Sequence, residues 1–191
     1  MAAKTDNFQS PDYFNVDELL TEEHKLIRES VRAYVKKEIS PIIEDFAQRA
    51  EFPQHIVKQL GDIGCFGPTV PEQYGGGGLD YISYGLMMQE LERGDSGVRS
   101  TASVQGSLVM YPIYAYGSEE QRKKYLPKLA TGEFKAAYCL TEPDSGSDAN
   151  SGKTKAVLSP DGKHYVINGQ KMWITNGGFA DIYIVFAKID N

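Results

Sequence analysis

The 191-residue sequence predicts an α+β protein, in which an N-terminal all-α helical bundle is followed by an incomplete antiparallel β domain. Two observations support this prediction. Apolar residues recur at helical spacing until about residue 130, and after Lys135 the pattern changes to short segments rich in Tyr, Val and Ile. Turn-forming residues at 159–162 and at Asn168-Gly169 separate those segments. We therefore predict a helical domain over residues 1–132 and a partial β domain over residues 133–191.

Helix signals in the first half of the bundle are local and well spaced. Thr21 is a cap residue before an acidic first turn, and the helix that follows keeps apolar residues three and four apart until Pro41. Ser40-Pro41 begins a second helix with proline in its first turn. Pro53 begins a third helix, which Gly64 ends.

The second half of the bundle contains three further predicted helices. Asp80 begins the fourth, and the glycine-containing run at 94–97 breaks it. A fifth helix is expected over about 98–110. Ser118 and Gln121 form a capping box at the start of the sixth. Together these segments predict a bundle with one apolar face per helix.

The strand signals predict one sheet. The pair Asn168-Gly169 predicts a two-residue hairpin turn, because both of its positions tolerate a positive φ. The last apolar segment reaches the end of the sequence, so we expect the sheet to lack strands. The predicted strands lie near 135–140, 154–158, 164–167, 170–175 and 182–188.

Composition excludes several classes of partner and site. A net charge of −6 makes nucleic acid and anionic membrane surfaces poor partners. No apolar run approaches the roughly 18 residues that a membrane span needs, so we expect a cytoplasmic protein, with the mitochondrial matrix as the alternative. Cys65 and Cys139 lack CxxC spacing and are expected to be small buried hydrophobes. His24, His55 and His164 show no metal-ligand spacing, so no metal site is expected, and His24 and His55 are interpreted as ordinary surface residues.

Two segments of the β domain carry most of the functional information. One reads YCLTEPDSGSD at 138–148, and the other reads WITN at 173–176. They place hydroxyls, turn-forming residues and a large aromatic ring at the ends of predicted neighbouring strands. This combination suits a flat cofactor, whose polar edge needs amide and hydroxyl partners. The alternative is a loop of turn formers next to a core tryptophan in a hairpin.

Together these two segments resemble the flavin-binding signature of the acyl-CoA dehydrogenase family. The resemblance implies that the Thr141 hydroxyl and the backbone of 138–141 lie on the polar edge of FAD. It implies that Trp173 covers a face of the ring and that Ser147 lies near the pyrophosphate and the thioester. The implied cofactor-binding residues are Tyr138, Cys139, Leu140, Thr141, Ser147, Trp173, Ile174 and Thr175.

A second resemblance concerns the substrate. Residues 91–113 are similar to the glutaryl-CoA dehydrogenase branch, which implies that Arg99, Ser100 and Ser103, together with Ser147, contact the substrate. Arg99 and Ser103 are four residues apart and share a helix face, as a clamp for a distal carboxylate requires. A charged hydrogen bond of this kind contributes about 1.5 to 3 kcal/mol. The alternative is a surface ion pair between Arg99 and Asp95.

The β domain is more similar to straight-chain acyl-CoA dehydrogenases, as in the run NGQKMWITNGG at 168–178. The two domains thus imply different substrates. Glutaryl-CoA is the first hypothesis, with decarboxylation of the product to crotonyl-CoA, and a straight-chain acyl-CoA of fatty acid β-oxidation is the alternative. In either case the implied reaction is an α,β-dehydrogenation of an acyl-CoA thioester, with FAD as the hydride acceptor and electron-transfer flavoprotein as the partner.

In the family that the sequence resembles, a Glu in a C-terminal helical domain is the catalytic base, and that domain also builds a homotetramer. We expect this base beyond Asn191, so the 191-residue chain is expected to be a fragment without dehydrogenase activity of its own. One alternative is an inactive truncated helical module. Another is a serine hydrolase, because the run GDSG at 94–97 matches the surroundings of a protease nucleophile, but it lies between helices and no triad accompanies it.

Overall fold

A computed structural model describes residues 12–189 of the chain. A helical domain is followed by a small sheet domain, so the predicted fold class is confirmed. The described part contains no helix that is both long enough and apolar enough to span a bilayer. The α-helices are α1 (Glu22–Tyr34), α2 (Ile43–Gln48), α3 (His55–Asp62), α4 (Tyr81–Gly94), α5 (Ser96–Ser103), α6 (Tyr111–Tyr116) and α7 (Glu119–Ala130).

The start of α1 is tied to the start of α4. The Thr21 hydroxyl accepts a hydrogen bond from the His24 N–H over 3.2 Å, and the Thr21 N–H donates to His24 Nδ1 over 3.3 Å. The other ring nitrogen, Nε2, lies 2.9 Å from a carboxylate oxygen of Asp80, 56 residues away. His24 is buried. The prediction that His24 is an ordinary surface residue is therefore wrong, because its ring joins two helix termini.

An ion pair and an apolar cluster hold the bundle together. Arg32 on α1 binds the buried carboxylate of Glu90 on α4 through Nε and Nη2, at 2.9 and 2.8 Å. Two nitrogens on one carboxylate fix the relative rotation of the helices as well as their distance. Apolar side chains from every α-helix except α2 are buried between them. The largest fully buried apolar residues are Phe66, Ile39, Ile56, Leu60, Leu91, Met110, Leu126 and Leu129.

The predicted fifth helix is longer than its sequence signals indicated. After α5 it continues as a π-helix over Val104–Met110 and then as α6. Gly106 lies in the π-helical turn, where an added Cβ would come within 2.5 Å of the carbonyl oxygen of Phe66. The glycine therefore allows this helix to approach the chain segment before α4 closely. π-Helical turns often occur at functional sites.

Gln105 connects this helix to the sheet domain. Its amide nitrogen donates to the carbonyl oxygens of Leu129 at 2.8 Å and Phe134 at 2.7 Å. Its amide oxygen accepts from the backbone N–H of Ala136 at 2.9 Å. Gln105 is 1% exposed. One buried side chain thus joins the C-terminal end of α7 to the segment that enters β1.

The strands form two small sheets with mixed pairing. β1 (Ala136–Cys139) is parallel to β4 (Ile182–Val185). β2 (Lys155–Leu158) is antiparallel to β3 (Tyr165–Asn168) and parallel to β5 (Lys188–Ile189). The antiparallel prediction is thus confirmed for β2–β3 and wrong for the other two pairs, because the chain crosses over between their strands.

The hairpin does not lie where the Asn-Gly pair predicted it. The turn of the β2–β3 hairpin is at 159–162, where Gly162 has a φ of 68° and its N–H donates to Ser159 over 2.8 Å. β3 ends at Asn168, and the predicted strand at 170–175 is a loop, so that prediction is wrong. Gly169 serves a different purpose, because a Cβ there would meet the Thr154 hydroxyl at 2.3 Å.

Candidate functional site

The two segments singled out in the sequence meet through their backbones. Thr141 lies two residues beyond β1, and Met172 lies in the loop after β3. The Met172 N–H donates to the Thr141 carbonyl oxygen over 2.9 Å. This bond holds the residue before Trp173 against the backbone of Thr141.

Trp173 is presented outward. Its backbone has a φ of 58°, in the left-handed region that a bulky residue rarely adopts. Its side chain is 84% exposed, so it is not the core tryptophan of the alternative interpretation. Such a backbone costs on the order of 1 to 3 kcal/mol and persists only where the surroundings hold it. The arrangement leaves an aromatic face free for a flat ligand.

The first segment contributes both side chains and backbone. The Tyr138 ring packs edge-on against Phe186 at a centroid distance of 5.0 Å. Cys139 is buried, so only its backbone can reach a ligand. Among residues 12–189 no partner holds the Thr141 hydroxyl, which is half-buried. The Thr141 hydroxyl and the exposed Trp173 ring lie on two segments that one backbone hydrogen bond joins, and these groups suit the polar edge and the flat face of an isoalloxazine ring.

The loop after Thr141 is a tight turn. Glu142 and Ser145 exchange two backbone hydrogen bonds, at 3.0 and 3.1 Å. The Ser145 hydroxyl donates to the Asp148 carbonyl oxygen over 2.8 Å. Ser147 lies exposed at the outside of this turn. The buried serine thus shapes the loop and leaves the hydroxyl of Ser147 available.

Sequence reasoning missed a buried ion pair beneath these segments. Lys171 Nζ lies 2.8 Å from Glu142 Oε1 and 3.0 Å from the Leu140 carbonyl oxygen. Glu142 also accepts the N–H groups of Lys153 at 2.5 Å and Thr154 at 3.0 Å. The Lys171 ammonium, aided by these donors, holds the pKa of Glu142 far below its usual range. No sequence pattern pairs two residues that are 29 positions apart.

A second buried residue that the sequence did not reveal anchors the far end of the Trp173 loop. The Asn176 side-chain amide donates to the Ala136 carbonyl oxygen over 2.9 Å. Its φ is 65°, a conformation that asparagine tolerates better than most residues. Residues 173–175, including Ile174 and Thr175, therefore lie between an anchor at 171–172 and an anchor at 176.

Three of the candidate substrate residues, Arg99, Ser100 and Ser103, lie on α5, whereas Ser147 lies in the sheet domain. Arg99 Nε donates to Glu92 at 2.6 Å, and Arg99 Nη1 lies 3.4 Å from the Ser103 hydroxyl. Asp95 instead caps α5 by accepting the Val98 N–H over 2.8 Å. The alternative pairing of Arg99 with Asp95 is wrong, because the break between α4 and α5 lets Glu92 reach the guanidinium. The Ser96 hydroxyl and Arg99 lower the pKa of Glu92.

Hydrogen bonds connect Ser103 to a residue that lines a cavity. Its hydroxyl donates to the carbonyl oxygen of Ser100, which is half-buried, over 3.2 Å. The Ser107 hydroxyl, one turn further, donates to the Ser103 carbonyl oxygen over 2.6 Å. Ser107 also lines a cavity of about 200 Å³. Its other lining residues are Phe66, Pro68, Thr69, Tyr81, Tyr84, Gly106 and Tyr111.

The structure places the two groups of candidate residues on connected elements. Within residues 12–189 no hydrogen bond or ion pair joins Arg99 or Ser103 to the segment 138–141. Gln105, two residues beyond Ser103, nevertheless binds the first residue of β1. The helical domain is thus joined to the strand that leads into the segment 138–141, and that segment with the Trp173 loop fits a flat cofactor, as in the class of flavin-binding proteins.

Comparison with known families agrees with this class. Residues 21–133 match the acyl-CoA dehydrogenase N-terminal domain, and residues 137–191 match the acyl-CoA dehydrogenase middle domain. The chain belongs to the acyl-CoA dehydrogenase family. The family predicted from the sequence is therefore confirmed.

The relatives are named for different acyl-CoA substrates. A probable acyl-CoA dehydrogenase of Bacillus subtilis is 46% identical over 180 residues, which are 94% of this chain and 30% of the relative. A glutaryl-CoA dehydrogenase from Mycobacterium smegmatis in complex with FADH2 has a TM-score of 0.89 at 43% identity, over 93% of this chain and 45% of that one. Butyryl-CoA dehydrogenase from Megasphaera elsdenii has a TM-score of 0.84 at 36% identity, over 90% and 45%. The chain thus spans less than half the length of each of these proteins.

Proposed function

We propose that this chain forms the N-terminal and middle parts of an FAD-dependent acyl-CoA dehydrogenase, which introduces an α,β double bond into an acyl-CoA thioester. The observation that carries the proposal is the hydrogen bond from Met172 to Thr141, which joins the segment of the exposed Trp173 to a threonine whose hydroxyl has no partner among residues 12–189. Family membership and the reduced flavin in the M. smegmatis relative support the choice of cofactor.

The residues of the site have distinct proposed roles. The Thr141 hydroxyl and the backbone of 138–141 hold the polar edge of the flavin, and Trp173 covers one face and excludes water from it. Ser147, exposed on its turn, reaches the pyrophosphate and the thioester. When bound, FAD supplies the hydride acceptor of the reaction. The carboxylate that removes the α-proton is assigned to no residue of the described chain.

Glutaryl-CoA is the proposed substrate. Arg99 and Ser103 lie 3.4 Å apart at the closest polar atoms, on one helix face. The Arg99 side chain is 35% exposed, so its terminal nitrogens remain accessible to a carboxylate. Loss of CO2 after dehydrogenation would yield crotonyl-CoA. In this proposal Glu92 orients the guanidinium through its 2.6 Å contact with Nε.

A straight-chain acyl-CoA is the second candidate, and a specific contact favours it. The Glu92 carboxylate already neutralises the Arg99 charge, which weakens its attraction for a further anion. The cavity beside Ser107 is lined mainly by aromatic and apolar groups and suits a short alkyl chain. The similarity to butyryl-CoA dehydrogenase agrees with this alternative.

The proposal extends to the whole enzyme. We infer that it passes electrons to an electron-transfer flavoprotein, assembles as a homotetramer and works in the cytoplasm. Family membership supports these three inferences.

Flavin binding by the 191-residue chain tests the proposed cofactor. Trp173 is its single tryptophan, and a flavin stacked on it should quench its fluorescence. We expect saturable quenching on titration with FAD, and a Trp173→Phe variant that still binds when flavin fluorescence is followed. A chain that remains colourless and shows no saturable change would support a helical module without a cofactor and contradict the proposal.

A further inference from the structure

We propose that Lys171 and Glu142 are a positioning pair, which holds the Trp173 turn against the end of β1. The pair thereby fixes, before FAD binds, the position of the Trp173 ring that covers the flavin. The restraint on Trp173 exists in the chain without any ligand. The consequence for FAD rests on the proposed function.

The position of each partner in the chain supports this role. Glu142 directly follows Thr141, and Lys171 precedes Trp173 by two residues. Their contact over 2.8 Å therefore joins the two segments that carry the candidate flavin contacts. The second contact of Lys171, with the Leu140 carbonyl oxygen at 3.0 Å, ties the same ammonium to the residue on the other side of Thr141.

Glu142 is itself held rigidly. It accepts backbone N–H groups of Lys153 and Thr154, and its own N–H and carbonyl oxygen pair with Ser145. Its side chain is 6% exposed and that of Lys171 is 13% exposed. A charge at such a site loses its water, so it remains ionised only with a partner and further hydrogen bonds. The pair thus holds the N-terminal end of the Trp173 loop in a fixed position.

The Trp173 backbone needs such a fixed point. A positive φ at a bulky residue relaxes unless both ends of the turn are held. Asn176 holds the C-terminal end through its bond to Ala136. On the N-terminal side, the hydrogen bond of Met172 and the Lys171–Glu142 pair supply the restraint.

A matched control exists on the same loop. Lys153 and Asp144 form an ion pair of the same length, 2.8 Å, but their side chains are 75% and 72% exposed. Exposed pairs of this kind contribute little, because water and salt screen them. Replacing the Lys153 side chain therefore removes the same charge and keeps the backbone N–H that donates to Glu142.

The first experiment measures the fluorescence anisotropy of Trp173 in the 191-residue chain without added flavin. We expect Lys171→Met to lower the anisotropy, Lys171→Arg to retain most of it, and Lys153→Met to leave it unchanged. With FAD present, Lys171→Met should weaken binding about tenfold or more, and Lys153→Met by less than about twofold. Far-ultraviolet circular dichroism establishes that the helical domain is folded in every variant.

A double variant distinguishes the positioning role from the destabilisation caused by a buried Glu142 carboxylate without its partner. Lys171→Met combined with Glu142→Leu removes both charges, which often restores stability in a buried site. Positioning predicts that its anisotropy stays low. Wild-type anisotropy in the double variant, or in a folded Lys171→Met variant, would overturn the proposal. If Lys171→Met does not fold, the double variant decides alone.

The two proposals fail in different ways. A wild-type chain that binds no FAD would contradict the proposed function, yet the anisotropy of the flavin-free variants would still decide the role of the pair. A wild-type chain that binds FAD, together with a Lys171→Met variant of equal affinity and equal anisotropy, would leave the proposed function intact and remove the positioning role.

Discussion

The backbone N–H of Met172 donates a hydrogen bond to the carbonyl oxygen of Thr141 over 2.9 Å. Neither side chain takes part, so the relative position of the two candidate flavin segments depends on backbone geometry and on the groups that anchor it. Substitutions of the outward side chains should therefore change ligand binding more than they change folding.

Thr141→Val tests this expectation. The hydroxyl has no partner among residues 12–189, so the variant should unfold at nearly the same urea concentration as the wild type. Loss of one hydrogen bond to the flavin should weaken FAD binding by about 0.5 to 1.5 kcal/mol. Thr141→Ser, which keeps the hydroxyl, is the control. Equal FAD affinity of the Val and Ser variants in a fluorescence titration would contradict the proposed contact.

Arg99→Ala distinguishes the two candidate substrates in the full-length enzyme. If Arg99 binds a distal carboxylate, the KM for glutaryl-CoA should rise about tenfold or more, because a charge-assisted hydrogen bond is lost. The KM for butyryl-CoA should change by less than about twofold. Steady-state kinetics with both substrates provide the measurement. An equal rise for both would show that Arg99 shapes the site without recognising the carboxylate.

Gln105→Leu should be strongly destabilising. The variant leaves the Phe134 carbonyl oxygen and the Ala136 N–H without their partner, and the Leu129 carbonyl oxygen keeps its bond from the Gly132 N–H. Each of these two buried unpaired groups costs about 1 to 3 kcal/mol, so we expect a loss of at least about 2 kcal/mol in the free energy of unfolding. The exposed Gln89→Leu on α4 should change it by less than about 0.5 kcal/mol. Urea denaturation compares the two, and similar midpoints would contradict the role of Gln105.

Two glycine substitutions should act in opposite directions. Gly85 lies inside α4 with open space around its Cβ position, so Gly85→Ala should stabilise the protein by about 0.5 to 1 kcal/mol. At Gly76 an added Cβ would lie 2.0 Å from the Val70 carbonyl oxygen, so Gly76→Ala should destabilise it. Thermal unfolding measures both. A lower melting temperature for Gly85→Ala would show that the helix needs this glycine for a reason other than conformation.

The contact between His24 and Asp80 predicts sensitivity to acid. The Ser83 N–H, together with the His24 ring, lowers the pKa of Asp80 from 3.8 to about 2. The folded state thus prefers the carboxylate, so this stabilisation is present above about pH 4 and is lost as the pH falls towards 2. Asp80→Asn should flatten the dependence of unfolding free energy on pH in this range. An unchanged slope would assign the acid sensitivity to other carboxylates.

Local signals predicted the helices well because their cause is local. Ser118 and Gln121 form the expected capping box, with bonds of 2.8 and 3.2 Å, and α7 begins at the next residue. Such bonds involve residues three positions apart, so they can be predicted directly from the sequence. The same holds for Thr21 at the start of α1, although His24 takes the place of the usual Glu or Gln.

The sheet domain was harder to predict, since its pairings depend on distant residues. Asn168-Gly169 has the composition of a hairpin turn, but Gly169 is needed where the chain passes Thr154. The hairpin forms instead at 159–162. A glycine that allows a close approach and a glycine that makes a turn cannot be told apart from composition alone.

By itself, the sequence determined the helices, the order of the two domains and the two segments from which a flavin site was inferred, because spacing and turn chemistry act within a few residues. Only the tertiary structure decided that Trp173 points outward, that Arg99 pairs with Glu92 and that Lys171 pairs with Glu142. The two ion pairs join residues across a helix break or from separate loops. Their geometry arises only when the backbone brings the segments together, and no periodicity along the chain encodes it.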